Sequence, residues 1–202
     1  MNARRRRVRL SQQRRLFDDV FKVDELIVAH ERQDGSMSAD KRRLVLERGD
    51  AAAVLLFNRD RNAVILVEQF KAPTLIGRRR DNAANTDGWI IEPVAGVVEA
   101  GESPQEAAIR ECREETGYRI GQLRSIATFF TSAGGTSERV FLYFAEVGDH
   151  DVAPTAAAME GEDISIIEMP VATLFESLDA GRIDDSKLII AAYWLRRKAG
   201  QP

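Results

Sequence analysis

The chain has 202 residues, 44% of them hydrophobic, and its 29 Lys and Arg nearly balance 32 Asp and Glu for a formal net charge of −3. That apolar content suits one globular domain, or one domain with a small appendage. A single Cys and two His exclude a disulfide framework and a Cys/His metal centre within the chain, no apolar run approaches the 18 residues of a membrane span, and no signal peptide is present, so a cytoplasmic protein with no membrane partner is expected.

Residues 1–15 contain seven arginines and no acid. Such a start could attract nucleic acid or serve as a targeting peptide; the plainer reading is a flexible tail, because like charges without apolar periodicity do not pack, and nucleic acid is not an expected partner. Extended-type runs at Val23–His30 and Arg42–Glu47, separated by the turn signal Asp34-Gly35-Ser36, predict a β-hairpin subdomain over 16–48. The near-continuous apolar runs Ala51–Phe57 and Ala63–Phe70 predict central strands joined by a turn at 58–62. Residues 74–88, with Arg78-Arg79-Arg80, read as a long polar insertion. Strands at Trp89–Glu92, Leu123–Phe130, Val140–Val147 and Ile164–Met169 complete a mixed sheet, and helices at Val171–Leu178 and Ser186–Lys198 follow. The predicted class is α+β, with no internal repeat.

One segment is chemically unusual. Ser103-Pro104-Gln105-Glu106 is a capping box with proline at the first helical position, and Gly117 stops the helix it opens. Glu111, Glu114 and Glu115 then crowd one side of its last turns, where the backbone dipole disfavours carboxylates, while Cys112 lies on the opposite, packing side. Glu106, Arg110 and Glu114 follow at i, i+4, so Arg110 is expected between the other two, leaving Glu111 and Glu115 free. Oxygen ligands on neighbouring turns suit a hard cation such as Mg²⁺ or Mn²⁺ held partly by substrate phosphates.

The segment Gly96-x5-Glu102-x7-Arg110-Glu111-Cys112-x-Glu114-Glu115-x-Gly117 resembles the Nudix box of the Nudix hydrolases. Arg48-Gly49-Asp50-Ala51-Ala52, Leu66-Val67-Glu68-Gln69-Phe70, Glu92-Pro93-Val94-Ala95-Gly96, Ser132–Glu138 and Glu160-Gly161-Glu162-Asp163-Ile164 are similar to landmarks of the ADP-ribose pyrophosphatase and GDP-mannose hydrolase branch. The resemblance implies a Nudix α/β/α sandwich over 49–202, preceded by the hairpin subdomain, which that branch exchanges between the subunits of a homodimer. It further implies Mg²⁺-dependent hydrolysis of a nucleoside diphosphate sugar.

On that resemblance, Glu111, Glu115 and the Ala95 carbonyl are the expected metal ligands, with Glu114 and Glu162 as further contacts. Glu160, or failing it Glu162, is the expected general base. Gly96, Glu102, Arg110 and Gly117 are expected to shape the box, and Arg48, Lys71, Glu92, Gly134, Gly135 and Glu138 to line the substrate site. Lys71 stands where the branch usually has Arg and so lacks the bidentate fork. ADP-ribose, giving AMP and ribose 5-phosphate, is the first expected substrate because Gly134–Arg139 looks closer to that group. GDP-mannose or another nucleotide sugar is the alternative, and a non-catalytic nucleotide sensor is the reading from a different class.

Overall fold

The computed structural model describes residues 4–78, 87–152 and 163–200. They form two compact units, one of residues up to Asp50 with Phe129–Arg139, the other of Ala51–Thr128 with Val140 onward. No helix among the described residues is long and apolar enough to cross a membrane.

The first unit is a three-stranded antiparallel meander of β1 (Val8–Asp18), β2 (Lys22–His30) and β3 (Lys41–Glu47). Strands β2 and β3 are the expected hairpin, but β1 corrects the expectation of a flexible tail over 1–15: from Val8 onward the arginine-rich start is a strand. The reason is pairing across strands. Arg4 and Arg7 reach Glu31 at 2.9 and 3.1 Å, Arg9 reaches Asp40 at 2.8 Å, Arg14 and Arg42 hold Glu25 between them, and Arg15 binds Asp24. The arginines read as mutually repelling charges only while the acids of β2 and of the turn after it are left out. Asp24, Glu25 and Glu31 are buried beneath these guanidinium groups, whereas every residue of β1 is exposed, including Val8, Leu10, Leu16 and Phe17.

A glycine-bearing loop closes this unit. Ser132 accepts hydrogen bonds from the Gly135 and Thr136 amides at 3.0 Å, and Gly135 and Ser137 exchange backbone bonds with Leu46 at 2.8 and 3.1 Å.

The second unit is built on a seven-stranded mixed sheet. Its strands run in the order β10 (Ile164–Pro170), β5 (Ala63–Phe70), β4 (Ala51–Asn58), β9 (Arg139–Val147) and β8 (Arg124–Phe130). β4 and β9 are parallel along their whole length, but β4 and β5 pair only from Leu56↔Ile65 to Asn58↔Ala63. Beyond that the two strands part, and β6 (Trp89–Glu92) pairs with β5 while β7 (Val94–Val97) pairs with β4. The predicted hairpin is therefore a hairpin only at its tip, with Pro93 marking the passage from β6 to β7.

Helices cover both faces, which is why β4 and β5 are almost wholly apolar. On one face Ala107, Ala108 and Cys112 pack on Val54, Leu56, Val67, Val94 and Tyr143. On the other lie α3 (Val171–Asp179) and α4 (Ser186–Lys198), which bury Leu174, Leu178, Leu188 and Leu195 and set Trp194 4.9 Å from Phe144. Full burial, as at Leu174 and Leu188, contributes about 1.5–3 kcal/mol per side chain. The polar insertion begins as a short helix, α1 (Ala72–Arg78), anchored by Arg78 to the Trp89 carbonyl at 2.8 Å and to Asp184 at 2.6 Å; Arg79 and Arg80 lie outside the described residues.

Candidate active site

The acidic segment is α2 (Pro104–Glu111) followed directly by a π-helical turn over Cys112–Thr116. The capping box is present as read: the Glu106 amide donates to Ser103 Oγ at 3.2 Å and the Ser103 amide to Glu106 Oε2 at 2.8 Å. The wide turn replaces the expected continuation of the α-helix, with the Thr116 hydroxyl donating to the Cys112 carbonyl at 2.5 Å and Gly117 in the left-handed region at φ 74°. Turns of this kind cluster at functional sites. Here it carries Glu114 and Glu115 on a wider spiral than 3.6 residues per turn allows.

Arg110 is the hub of the segment; of its two expected partners it holds Glu114 but not Glu106. Its Nε and Nη2 donate to the two Glu102 oxygens at 3.0 and 3.1 Å, Nη1 donates to Glu111 at 2.7 Å and Glu114 at 3.1 Å, and Nη2 also reaches the Val97 carbonyl. Glu106 is taken by the helix cap, so helical spacing alone assigned it wrongly. Glu111, expected to be free, is held by Arg110. Glu102 accepts a further hydrogen bond from the Glu99 amide at 3.1 Å, and the hydrogen bonding from Arg110 holds its carboxyl below the usual range.

Glu111 also lies against β7. A Cβ built on Gly96 would overlap Oε1 and Cδ of Glu111 and sit 2.6 Å from its Cγ. The glycine is required by that close approach. Burial raises the Glu111 carboxyl, against the pull of Arg110.

Among the described residues no ion pair holds Glu115. Its Oε2 is buried with no hydrogen-bond partner among the described residues. Burial, followed by the charges of Glu111 and Glu92, pushes this carboxyl up to about 8; Lys71 and the Ala95 amide act in the opposite direction. A buried oxygen without a partner is costly unless something binds it. The donor set is hard oxygen, and in that respect the residues fit a divalent cation. Among the described residues no three acidic, His or Cys side chains converge as a complete metal cage. Glu160 and Glu162 lie outside the described residues.

Next to this pair is a buried polar network that sequence reading missed in large part. Glu92, 4% exposed, accepts from Gln69 Nε2 at 2.9 Å and from Lys187 Nζ at 2.7 Å, with Lys71 Nζ 3.4 Å away. Lys187 also donates to Asp185 at 2.5 Å, while the other Asp185 oxygen caps α4 through the Leu188 amide at 2.7 Å. Glu92 was expected to line the substrate site; in the structure Gln69, Lys187 and Lys71 surround its carboxylate. One signal in the sequence pointed here: a lysine in the first turn of a helix opposes the backbone dipole, so Asp185-Ser186-Lys187 called for a nearby carboxylate.

The remaining expected substrate residues belong to the first unit. Arg48 Nε lies 3.2 Å from Glu138, its guanidinium is stacked 5.7 Å over the Phe21 ring, and the Thr131 hydroxyl donates to Glu138 at 2.9 Å. A Cβ on Gly134 or Gly135 would meet nothing within 4 Å, so neither glycine is demanded by crowding.

The model of the NUDIX domain matches residues 47–191. The GDP-mannose pyrophosphatase of Cronobacter sakazakii is 33% identical over 183 residues, covering 91% of this chain and 92% of that protein. Those of Salmonella arizonae (33% over 180 residues, 89% and 90% covered) and Escherichia coli (31% over 181 residues, 90% and 91%) are similar to it as well. Among solved structures, the crystal structure of an ADP compounds hydrolase superposes with a TM-score of 0.69 at 17% identity, over 96% of this chain and 94% of that one; at that identity the likeness speaks for the fold.

Proposed function

This chain belongs to the Nudix family, and from that premise we propose that it is a Mg²⁺-dependent pyrophosphatase cleaving the diphosphate of a nucleoside diphosphate sugar, GDP-mannose before ADP-ribose. The unpartnered Glu115 oxygen beside Glu111 carries the metal reading. The substrate order follows the names of relatives that match along nine-tenths of the chain, and so departs from the ADP-ribose preference drawn from Gly134–Arg139.

In this reading Glu111, Glu115 and the Ala95 carbonyl hold the cation, with Glu114 and Glu162 as additional contacts and Mn²⁺ as an alternative metal. When bound, it supplies charge neutralisation for the diphosphate and a more acidic water. The protein does the rest. Arg110, braced on Glu102, keeps Glu111 and Glu114 in place on α2. Lys71, the half-exposed cation beside the acidic pair, receives a phosphate oxygen, and Arg48, Glu138 and the loop at Gly134-Gly135 contact the nucleotide. Glu160 takes the proton from the water as it attacks phosphorus in line. Release of a nucleoside monophosphate and a sugar 1-phosphate from GDP-mannose follows.

The exposed apolar side chains of the first unit support a homodimer in which this sheet is covered by a second copy, since a small isolated sheet of this kind is marginal in water. Hydrolysis of GDP-mannose, ADP-ribose and UDP-glucose, each with Mg²⁺ and with Mn²⁺, tests the assignment. GMP and mannose 1-phosphate should appear fastest; tight nucleotide binding with no turnover of any of the three would make the protein a sensor instead.

A further inference from the structure

Lys187 is largely enclosed, with 16% of its side chain exposed, uses Nζ on Glu92 at 2.7 Å and on Asp185 at 2.5 Å, and belongs to no part of the chemistry just described. Glu92 carries one negative charge and faces two lysines. Lys187 is enclosed and close; Lys71 is 42% exposed at the side chain and 3.4 Å away. Gln69 takes a further position on the oxygen nearer Lys71, at 2.9 Å. The carboxylate is thus satisfied from the protein interior, and its claim on Lys71 is the weakest of the three.

We propose that Lys187 is a positioning residue for the reaction: by occupying Glu92 from behind, it leaves the Lys71 ammonium available to a substrate diphosphate. The proposal rests on the reading of Lys71 as a phosphate contact. Without Lys187, Glu92 would be a buried carboxylate short of a cation, and burial strengthens its hold on the nearest one. Lys71 would be drawn inward and would have to break a strong ion pair before reaching a phosphate. Asp185 completes the device, because it fixes Lys187 with one oxygen while capping α4 with the other. A simple loss of positive charge near the site would also weaken an anion, but it would do so whether or not Lys71 were present.

A double-mutant cycle separates the two. The probe is α,β-methylene-ADP, a diphosphate that cannot be cleaved at the bridging position, titrated calorimetrically in the presence of Mg²⁺ into the full chain. Lys187→Met and Lys71→Ala should each weaken binding by about tenfold, the usual scale for a lost charge-assisted contact, and the double variant should be no weaker than Lys71→Ala within about twofold. In GDP-mannose kinetics Lys187→Met should raise KM with little change in kcat. Glu92→Gln provides the opposite sign: it releases Lys71, so the probe should bind at least as tightly as to wild type, a result that damage to the fold would not give. Multiplying penalties in the double variant, or weaker binding by Glu92→Gln, overturns the proposal. Intact coupling in a protein that hydrolyses no nucleotide sugar would keep Lys187 as a positioning residue for diphosphate binding alone and remove the enzymatic reading.

Discussion

The Glu111 carboxylate lies against the backbone of Gly96, in the space where any other residue would carry its Cβ. The atoms in the way are the far end of a flexible side chain, so Gly96→Ala should be relieved by swinging Glu111 aside. Stability would then fall by no more than about 1–3 kcal/mol, the usual cost of local overpacking, while turnover should fall by about 10²-fold or more as the carboxylate leaves its place, in line with the sensitivity of catalysis to ångström-scale misplacement. Melting temperature and GDP-mannose turnover, measured together, check this; retained turnover would show that Glu111 works from another position.

Glu115→Gln keeps the size of the side chain but replaces one carboxyl oxygen with an amide nitrogen that cannot ligate a cation, at a group whose Oε2 has no partner among the described residues. Millimolar Mg²⁺ should raise the melting temperature of the wild type, since a ligand bound only to the folded state stabilises it by mass action. It should leave that of Glu115→Gln unchanged. Equal shifts in both proteins would place the cation elsewhere.

Glu160→Gln should lower turnover by about 10²-fold or more, the scale of general-base loss, with the affinity for α,β-methylene-ADP intact. An unchanged rate would transfer the role to Glu162, tested by the same substitution there.

Strand β1 should release in acid. Hydrogen bonds from arginines and the backbone hold Asp24, Glu25 and Glu31 below the ordinary carboxylate range. A lowered folded-state value means that the stabilisation is present above the unfolded value and is lost as pH falls through the folded one. Because every β1 side chain is exposed within one chain, only a covering second copy would hold the strand by apolar burial once these pairs are gone. Amide exchange should show β1 protected at neutral pH and opening as pH falls below the free carboxylate values of about 3.9–4.3, while β4 and β9 stay protected. Persisting protection of β1 would mean that another surface holds it.

Light scattering at micromolar concentration should report a dimer. A monomer would leave Leu10, Phe17 and the other apolar side chains of that sheet without the covering copy inferred for them.

Local chemistry was legible in the sequence, and long-range partners were not. The capping box at Ser103–Glu106 needs only residues three apart, so it could be read directly, as could the apolar character of β4 and β5. Arg110 was given the wrong neighbour because Glu102, in the loop before the helix, is invisible to helical spacing. The π-helical turn at Cys112–Thr116 has no compositional signature. The pairing of the N-terminal arginines depends on strand register with β2, and Lys187 meets Glu92 across 95 residues. Apart from that turn, the missing information was which carboxylate a cation would find after folding.

Cys112 is the only cysteine in the chain and is fully buried on the packing side of the acidic segment, where burial and the charges of Glu115 and Glu111 keep its thiol protonated. The molecule thereby carries one built-in probe at the point of greatest interest. A thiol-specific dye can reach that sulfur only when the segment lifts from the sheet, so the labelling rate is a stopwatch on the local opening of the acidic turn, with no engineered label and no competing signal.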